Sequence, residues 1–568
     1  MTITEIPWWK DAVVYQIWPH SFKDSNGDGI GDFKGIISQL DHIKNLGATV
    51  IWLSPHYKSP CFDMGYDIAD YEDVNENYGT LEECFELIDA IHAKGLKIIF
   101  DLVVNHTSHE HKWFKESRSS KTNPKRDWYI WKPPRYDENG KRHPPNNWSS
   151  HFSGSAWSYD ELTDEYYLRL FANEQPDLNW ENPDTRNAIY DSALKFWYEH
   201  GVDGFRIDTA GLYSKTQTFL DAPVIFPDQE FQPCGIYTHN GPRIHEFHKE
   251  MYEKTTGNYD AMTVGEVGHG SREDALKYVS AKEKELNMIF IFDPVEVGSD
   301  PSDRFRYNGF KLSDFKKAIK AQVGFISGTD AWSAVFIENH DQPRSVTRFG
   351  NTSTPLFHEK SAKLLALLQT SLTGTLFIYQ GQEIGMTNVS RSWDISEYLD
   401  INTINYVEAF KEKIHTEEEY EKLLDVINLV ARDHSRTPVQ WDDSSNGGFT
   451  TGKPWTRVND NYKDINAAKQ VKDPNSIYSF WSKLLKFRNE HKEILTHGNF
   501  EILDFENEDT FQFVKTSENG EKAHVVLNFS DKTLEFENQV KGGKLAINNY
   551  DQFEESKLQP YEARLYII

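Results

Sequence analysis

The chain has 568 residues, room for three or four domains or for one large barrel with attachments. Its 61 Lys and Arg face 88 Asp and Glu, and the resulting charge of −27 repels phosphate backbones and anionic lipid heads, which argues against nucleic-acid and membrane partners. Aromatic residues reach 14%, too many for a disordered chain and suited to flat, partly polar ligands such as sugars. No run of about 18 apolar residues occurs, so no spanning helix is expected. The first nine residues carry Glu5 and Pro7 and do not read as a secretory signal. The 3 cysteines (Cys61, Cys84, Cys234) make no disulfide framework and fit a reducing compartment, so a cytoplasmic protein is expected, with a monomer as the default.

Residues 12–18 form a short apolar strand. Ile36, Ile37, Leu40, Ile43 and Leu46 recur at helical spacing and predict a helix over 33–46 that stops at Gly47. A second strand covers 50–53. Thr80 and Glu83 form a capping box for a helix that ends at Gly95, and a third strand follows over 96–104. Strands this apolar throughout are buried on both faces, as in a parallel sheet covered by helices. Between about 107 and 180 the rhythm breaks. That stretch is rich in Pro, Asn and charge, but Trp128, Trp131, Trp148 and Trp157 predict an ordered small domain. Alternation resumes with a helix over 185–199 and strands over 204–208, 262–265, 288–292, 334–337 and 375–379.

Eight such strands with helical patterns between them predict an α/β fold, a (β/α)8 TIM barrel. An open doubly wound sheet is the alternative, and no Gly-x-Gly-x-x-Gly follows the first strand to support a dinucleotide fold. After about 495 the runs 511–514, 524–527 and 563–568 predict a C-terminal antiparallel β-sandwich. The expected organisation is a barrel from 1–106 and 181–494, an insertion domain after strand 3 over 107–180, and the sandwich over 495–568.

A barrel carries its chemistry at the C-terminal ends of its strands. Here strand three ends in Asp101, Asn105 and His106, strand four in Arg206 and Asp208, strand five in Glu266, and strand seven in Asn339, His340 and Asp341. Any one of these reads as a helix cap or a core residue. Together they would gather too many ionisable groups to be structural only. Two carboxylates flanking a bond suit glycoside hydrolysis. Arg206 lies two residues before Asp208 on the same strand face and is expected to hold it ionised, as a nucleophile needs. Glu266 follows an apolar strand, where burial favours the protonated form of a general acid. No His-x-x-His or Cys pair near these ends has zinc-ligand spacing.

These motifs, with Gln175 to Asn179, resemble the α-amylase superfamily of retaining glycoside hydrolases over essentially the whole chain. Within it the chain is similar to the fungal maltase–isomaltase group of α-glucosidases, in the oligo-1,6-glucosidase subfamily. The resemblance implies Asp208 as nucleophile, Glu266 as acid/base and Asp341 as transition-state stabiliser. It implies that Asp63, Tyr66, His106, Arg206 and His340 hold the reacting glucose, and that Arg432, rather than Arg436, closes the pocket. Thr209 after the nucleophile resembles members that prefer α-1,4 bonds. Asn402 departs from the Glu that fungal relatives often carry nearby. Asp24, Asn26, Asp28, Ile30 and Asp32 space oxygen ligands in a Gly-rich loop, and the resemblance implies a structural Ca²⁺ there, bound by the Ile30 carbonyl and the four side chains. No cofactor is expected for catalysis. The implied activity is release of terminal α-1,4-linked glucose from maltose and related sugars such as sucrose and turanose. An isomaltase or oligo-1,6-glucosidase, or a transglycosylating relative such as a sucrose isomerase or trehalose synthase, is the alternative.

Overall fold

The computed structural model describes residues 6–268, 270–300, 303–411, 414–538, 540 and 542–568. Residues 1–5, 269, 301–302 and 412–413 of the expected barrel segments, and 539 and 541 of the expected sandwich, lie outside the described residues. Apolar runs form eight strands: β1 (Val13–Ile17), β2 (Val50–Leu53), β3 (Lys97–Leu102), β4 (Gly204–Ile207), β5 (Met262–Glu266), β6 (Met288–Phe290), β7 (Ala334–Val335) and β8 (Thr375–Tyr379). Nearly every residue in them is buried, as strands covered on both faces require. β6 and β7 stop short of the predicted ends at 292 and 337.

The chain divides into two compact units, described separately. One comprises Met1–Trp52, Ala90–Lys97 and Phe290–Ile568. Its strands run in the order β2-β1-β8-β7, with β1 parallel to β8 and β8 parallel to β7. The predicted helix over 33–46 is two helices here, Phe33–Ser38 and Leu40–Leu46. They meet at Gln39, whose φ of −110° and ψ of 6° leave the helical region. The C-terminal part is a five-stranded antiparallel sheet in the order Asn499–Ile502, Thr510–Thr516, Lys522–Asn528, Ala563–Ile567, Lys544–Asn548. A two-stranded sheet, Leu534–Glu535 with Lys557–Leu558, adds a second layer through Phe536, Leu558, Val526 and Tyr566.

The other unit comprises Leu53–Asp89 and Ile98–Ile289, with strand order β3-β4-β5-β6. β4 is parallel to both neighbours, with Arg206 opposite Asp101 on one side and Val264 on the other. Gly204 opens β4 at a φ of 152°, and a Cβ there would fall 1.9 Å from the Met262 carbonyl oxygen, so no other residue fits. The predicted helix over 185–199 is α-helical at Pro183–Ile189 and Phe196–Glu199, with a π-helical turn at Tyr190–Lys195 between them. The aperiodic segment is ordered. It holds the antiparallel strands Trp131–Lys132, Glu165–Leu168 and Trp157–Asp160. Its core joins Trp148, Trp157, Leu168 and Leu170 to Leu212, Phe219 and Cys234 from the segment after β4. Trp148 Nε1 donates to the Leu220 carbonyl at 2.8 Å, and Trp157 Nε1 to Asn146 Oδ1 at 2.7 Å.

Eight such strands, four to a unit, are the strand inventory of a (β/α)8 barrel. Among the described residues, no helix is long and apolar enough to cross a membrane. Truncating Trp148 to Ala removes the largest side chain of the insertion core. The variant is expected to lose about 3–5 kcal/mol of stability in thermal or denaturant unfolding; a loss under about 1 kcal/mol contradicts the packing described.

Candidate active site

The parallel register builds the first half of the site. Asp101 on β3 stands beside Arg206 on β4, and Ile207 stands beside Gly265 on β5. The next residues, Asp208 and Glu266, therefore emerge level at the ends of two adjacent strands. Asp208 lies two residues beyond Arg206 and shares its face. Arg206 is 2% exposed. Its Nη1 donates to Asp101 Oδ1 at 2.7 Å and to Asp208 Oδ1 at 2.8 Å, and its Nη2 donates to Glu266 Oε2. Tyr66 joins the group through its hydroxyl, which donates to Asp101 Oδ2 at 3.2 Å.

This geometry corrects the expectation that Arg206 holds Asp208 ionised. That expectation matched one cation with one carboxylate, whereas the guanidinium serves three. Burial pushes the Asp208 carboxyl well above its usual range; Arg206 pulls it down, and the Glu266 and Asp101 charges push it up again. Glu266 is also less enclosed than its apolar strand suggested, with a side chain 23% exposed. Thr209 holds a φ of 43°, unusual for a β-branched residue, and its hydroxyl donates to Asp208 Oδ2 at 3.2 Å.

Asp63 and His106 meet through Gln175. Its Nε2 donates to Asp63 Oδ2 at 3.0 Å and lies 3.2 Å from His106 Nε2. The buried Asp67 carboxylate shapes the Asp63 loop by accepting the Phe62 and Asp63 amides, both at 3.0 Å. Burial pushes His106 down to about 4, so the imidazole is neutral at neutral pH. Asp63, Tyr66, His106, Arg206, Asp208, Thr209 and Glu266 thus belong to one connected group, all within one unit.

In the other unit, Asp341 Oδ1 accepts from Arg432 Nη1 at 3.1 Å and from Arg436 Nη2 at 2.8 Å. Both arginines also grip Asp400: Arg432 through Nε at 2.9 Å and Nη2 at 2.8 Å, Arg436 through Nη1 at 2.6 Å. Arg436 therefore holds Asp341 as Arg432 does. His340 Nε2 lies 3.4 Å from Asp341 Oδ2, and the ring stacks on Trp18 at 5.2 Å between centroids. Gln16 Nε2 donates to His340 Nδ1 at 2.8 Å. Burial alone would raise Asp341, but His340, Arg432, Arg436 and Arg304 together hold it well below the usual carboxylate range. Asn402 enters this group only through its backbone amide, which donates to Asp400 Oδ1 at 3.0 Å.

Sequence reading missed Asp400, noticed only as the neighbour of Asn402, and it gave no role to the buried Lys215. Lys215 stands among Ser214, Thr216 and Gln217, so its neighbours in sequence give no signal of its burial. Asp400 offers none, because its partners lie 32 and 36 residues away.

The loop over 24–32 has an all-oxygen donor set, which suits a hard cation and not zinc. Its oxygens also serve the chain. Asp24 Oδ1 accepts the Asn26 and Gly27 amides at 2.8 and 2.7 Å, and Asp24 Oδ2 the Gly29 amide at 2.9 Å. Asp28 Oδ1 accepts the Ile30 amide at 2.8 Å, and Asp32 caps the helix behind it by accepting the Gly35 amide at 2.6 Å. Among the described residues, no three His, Cys, Asp or Glu side chains group closely enough to hold a metal ion by themselves. A cation here would therefore depend on the Asn26 and Ile30 oxygens as well.

Solved structures share the whole architecture. The trehalose-6-phosphate hydrolase of Bacillus licheniformis superimposes with a TM-score of 0.90 at 40% identity, covering 99% of this chain and 100% of that one. The trehalulose synthase MutB of Pseudomonas mesoacidophila gives a TM-score of 0.90 at 40% identity, with 99% of each chain covered. The fold is a (β/α)8 TIM barrel with a C-terminal antiparallel sheet region. The chain matches the alpha-amylase catalytic domain over residues 16–498 and belongs to the alpha-amylase family of glycoside hydrolases. It is 63% identical over 571 residues to an alpha-glucosidase of Candida albicans, with all of both chains covered. It is 49% identical over 582 residues to an oligo-1,6-glucosidase of Saccharomyces cerevisiae, with 99% of this chain and 98% of that one covered.

The buried histidines set an acid limit on stability. Burial pushes His20, His106, His248 and His434 down to about 4, and His56 and His111 to about 3. Between an unfolded value of about 6.5 and these folded values, only the unfolded chain takes up the protons, so acid drives unfolding. Burial also raises Asp208, Asp67, Glu285, Asp433 and Asp504, which act in the opposite sense, but carboxyls start from about 4 and the histidines from about 6.5, so the histidines govern the upper part of the range. The unfolding midpoint is expected to fall steadily from pH 7 to pH 5; a flat or rising midpoint contradicts the burial of neutral imidazoles.

Proposed function

We propose that this α-glucosidase is a retaining, exo-acting enzyme that releases terminal α-1,4-linked glucose from maltose and, more broadly, from sucrose, turanose and related sugars. The observation that carries the reading is the single buried guanidinium holding Asp208 and Glu266 side by side. Both carboxyls meet the same guanidinium, Asp208 at Nη1 and Glu266 at Nη2, which sets them close together as a retaining pair needs and leaves no wide gap for an inverting water.

Burial and the neighbouring carboxylates favour a proton on Asp208 in the free enzyme. Double displacement requires that Asp208 be without it and that Glu266 carry one. Asp208 attacks the anomeric carbon while Glu266 gives its proton to the departing glycosidic oxygen, leaving a β-glucosyl ester on Asp208. Glu266, now ionised, takes a proton from water, and the hydroxide oxygen displaces Asp208 to give α-glucose. Asp341 carries a charge that does not titrate near neutrality, which suits the role of stabilising the positive sugar of the transition state. Asp63, Tyr66, His106, Arg206 and His340 are assigned to the reacting glucose, and Arg432 with Arg436 to the far side of the pocket. The hydroxyl of Thr209 is assigned to the preference for α-1,4 over α-1,6 bonds.

The domain organisation is proposed as above, with the barrel over 1–106 and 181–494, the insertion over 107–180 and the C-terminal domain over 495–568. The same reading takes the protein to be a cytoplasmic monomer. It assigns Asp24, Asn26, Asp28, Asp32 and the Ile30 carbonyl to a structural Ca²⁺ that ties down the loop after β1 and takes no part in the reaction. The likeness to a trehalulose synthase favours one rival outcome, transfer to a sugar acceptor in place of water.

The test is a time course on maltose with products resolved by NMR. Glucose released first as the α anomer, at a rate cut at least about 10³-fold in Asp208→Asn, is the expected result. First release of the β anomer, or isomeric disaccharide as the main product, overturns it. For the cation, chelation is expected to lower the unfolding midpoint, with Ca²⁺ restoring it and Asp28→Ala removing the response. A midpoint indifferent to chelator and to Ca²⁺ removes the metal assignment.

A further inference from the structure

A lysine outside the catalytic scheme is buried beside it. Lys215 lies in the loop after β4 and is 2% exposed. Its Nζ pairs with Asp177 Oδ2 at 2.8 Å and donates to Asn105 Oδ1 at 2.7 Å. Asp177 is fully buried, and its other oxygen accepts the Leu170 amide at 2.8 Å.

An ammonium can only donate, so the Asn105 atom facing it must be the oxygen. This fixes the amide in one orientation, which hydrogen-bond geometry alone often leaves open. The Asn105 nitrogen then faces Asp177 Oδ2 at 3.1 Å and His106 Nδ1 at 3.2 Å. A donor pointing at Nδ1 requires a lone pair there, which puts the ring proton on Nε2. Nε2 lies 3.1 Å from the Tyr66 carbonyl, an acceptor, and the two contacts agree.

Gln175 approaches the same ring nitrogen at 3.2 Å. Its oxygen is already taken by the Ala172 amide at 2.8 Å, and its nitrogen donates to Asp63 Oδ2 at 3.0 Å. The opposite tautomer would serve Gln175 only by setting two donors against each other at Nδ1. Burial keeps the ring neutral, so one nitrogen alone carries a proton.

We propose that Lys215 is a positioning residue that, acting through Asn105, keeps the His106 proton on Nε2, so that the imidazole presents a donor shared between the Tyr66 carbonyl and a hydroxyl of the reacting glucose. The inference rests on the α-glucosidase reading and on the assignment of His106 to that glucose. It gives the Lys215–Asp177 pair a function that packing alone does not require, because an apolar pair of similar volume would fill the same space.

The full-length protein labelled with ¹⁵N-histidine tests it directly, with the His106 signal identified by its loss in His106→Gln. The native ring is expected to be protonated at Nε2. Asn105→Asp keeps the shape but turns the donor at Nδ1 into an acceptor, and the proton is expected to move to Nδ1. A native ring protonated at Nδ1, or an Asn105→Asp ring that keeps its single proton on Nε2, overturns the proposal.

Turnover of 4-nitrophenyl α-glucoside and its monodeoxy analogues gives the second measurement. In the native enzyme, losing the hydroxyl that faces His106 is expected to cost about tenfold in kcat/KM. In Lys215→Met that cost shrinks to about twofold while the costs at the other hydroxyls persist, and Lys215→Arg restores most of the native pattern. A uniform loss at every hydroxyl in a folded Lys215→Met marks a structural role only and overturns the proposal. A native enzyme without glucosidase activity would overturn the functional reading and leave the tautomer result standing.

Discussion

One guanidinium shared by three carboxylates is the constraint on which the catalytic half of this protein depends. Arg206 is enclosed, and so are Asp101 and Asp208, with Glu266 at the more open edge. One positive charge there faces three carboxylates, and burial together with the Glu266 and Asp101 charges raises Asp208 well above the usual carboxylate range. A retaining glycosidase needs two carboxyls in different protonation states a few ångströms apart. Strand register provides them: parallel pairing of β3, β4 and β5 aligns Asp101 with Arg206 and sets Asp208 level with Glu266. A lysine could not do the same work, since a planar fork reaches three acceptors in fixed directions and an ammonium is a single point charge.

Asp341 illustrates the opposite balance. His340, Arg432, Arg436 and Arg304 act on it together, and Asp400 anchors two of those arginines from behind. Surplus positive charge keeps Asp341 ionised, whereas surplus negative charge keeps Asp208 poised to hold or lose a proton. Environments that push carboxyls apart in this way separate their roles.

Much of this was legible in the residues. Apolar runs of four to nine residues marked the strands, polar groups at the ends of four of them marked the reactive ends, and the tryptophans marked the insertion as ordered. What escaped was whatever depends on partners distant in sequence. Asp400 reaches Arg432 and Arg436 over more than thirty positions, and no local pattern announces such a pairing. The protonation of Asp208 depends on counting every charge around Arg206, which only the register of three strands reveals. Gln175 looked like a subfamily marker and turns out to bridge Asp63 to His106. The break at Gln39 and the π-helical turn at Tyr190–Lys195 lie where apolar spacing stays helical, so periodicity passes over them.

The central claim is that Asp101 competes with Asp208 for the charge of Arg206. The most direct test is the pH dependence of kcat/KM for maltose in the native enzyme and in Asp101→Asn. Neutralising Asp101 removes a charge that raises Asp208 and frees Arg206 to act on it, so the acidic limb should move to lower pH by at least about half a unit. An acidic limb that stays in place, or moves to higher pH, would contradict a shared guanidinium as the control on the nucleophile.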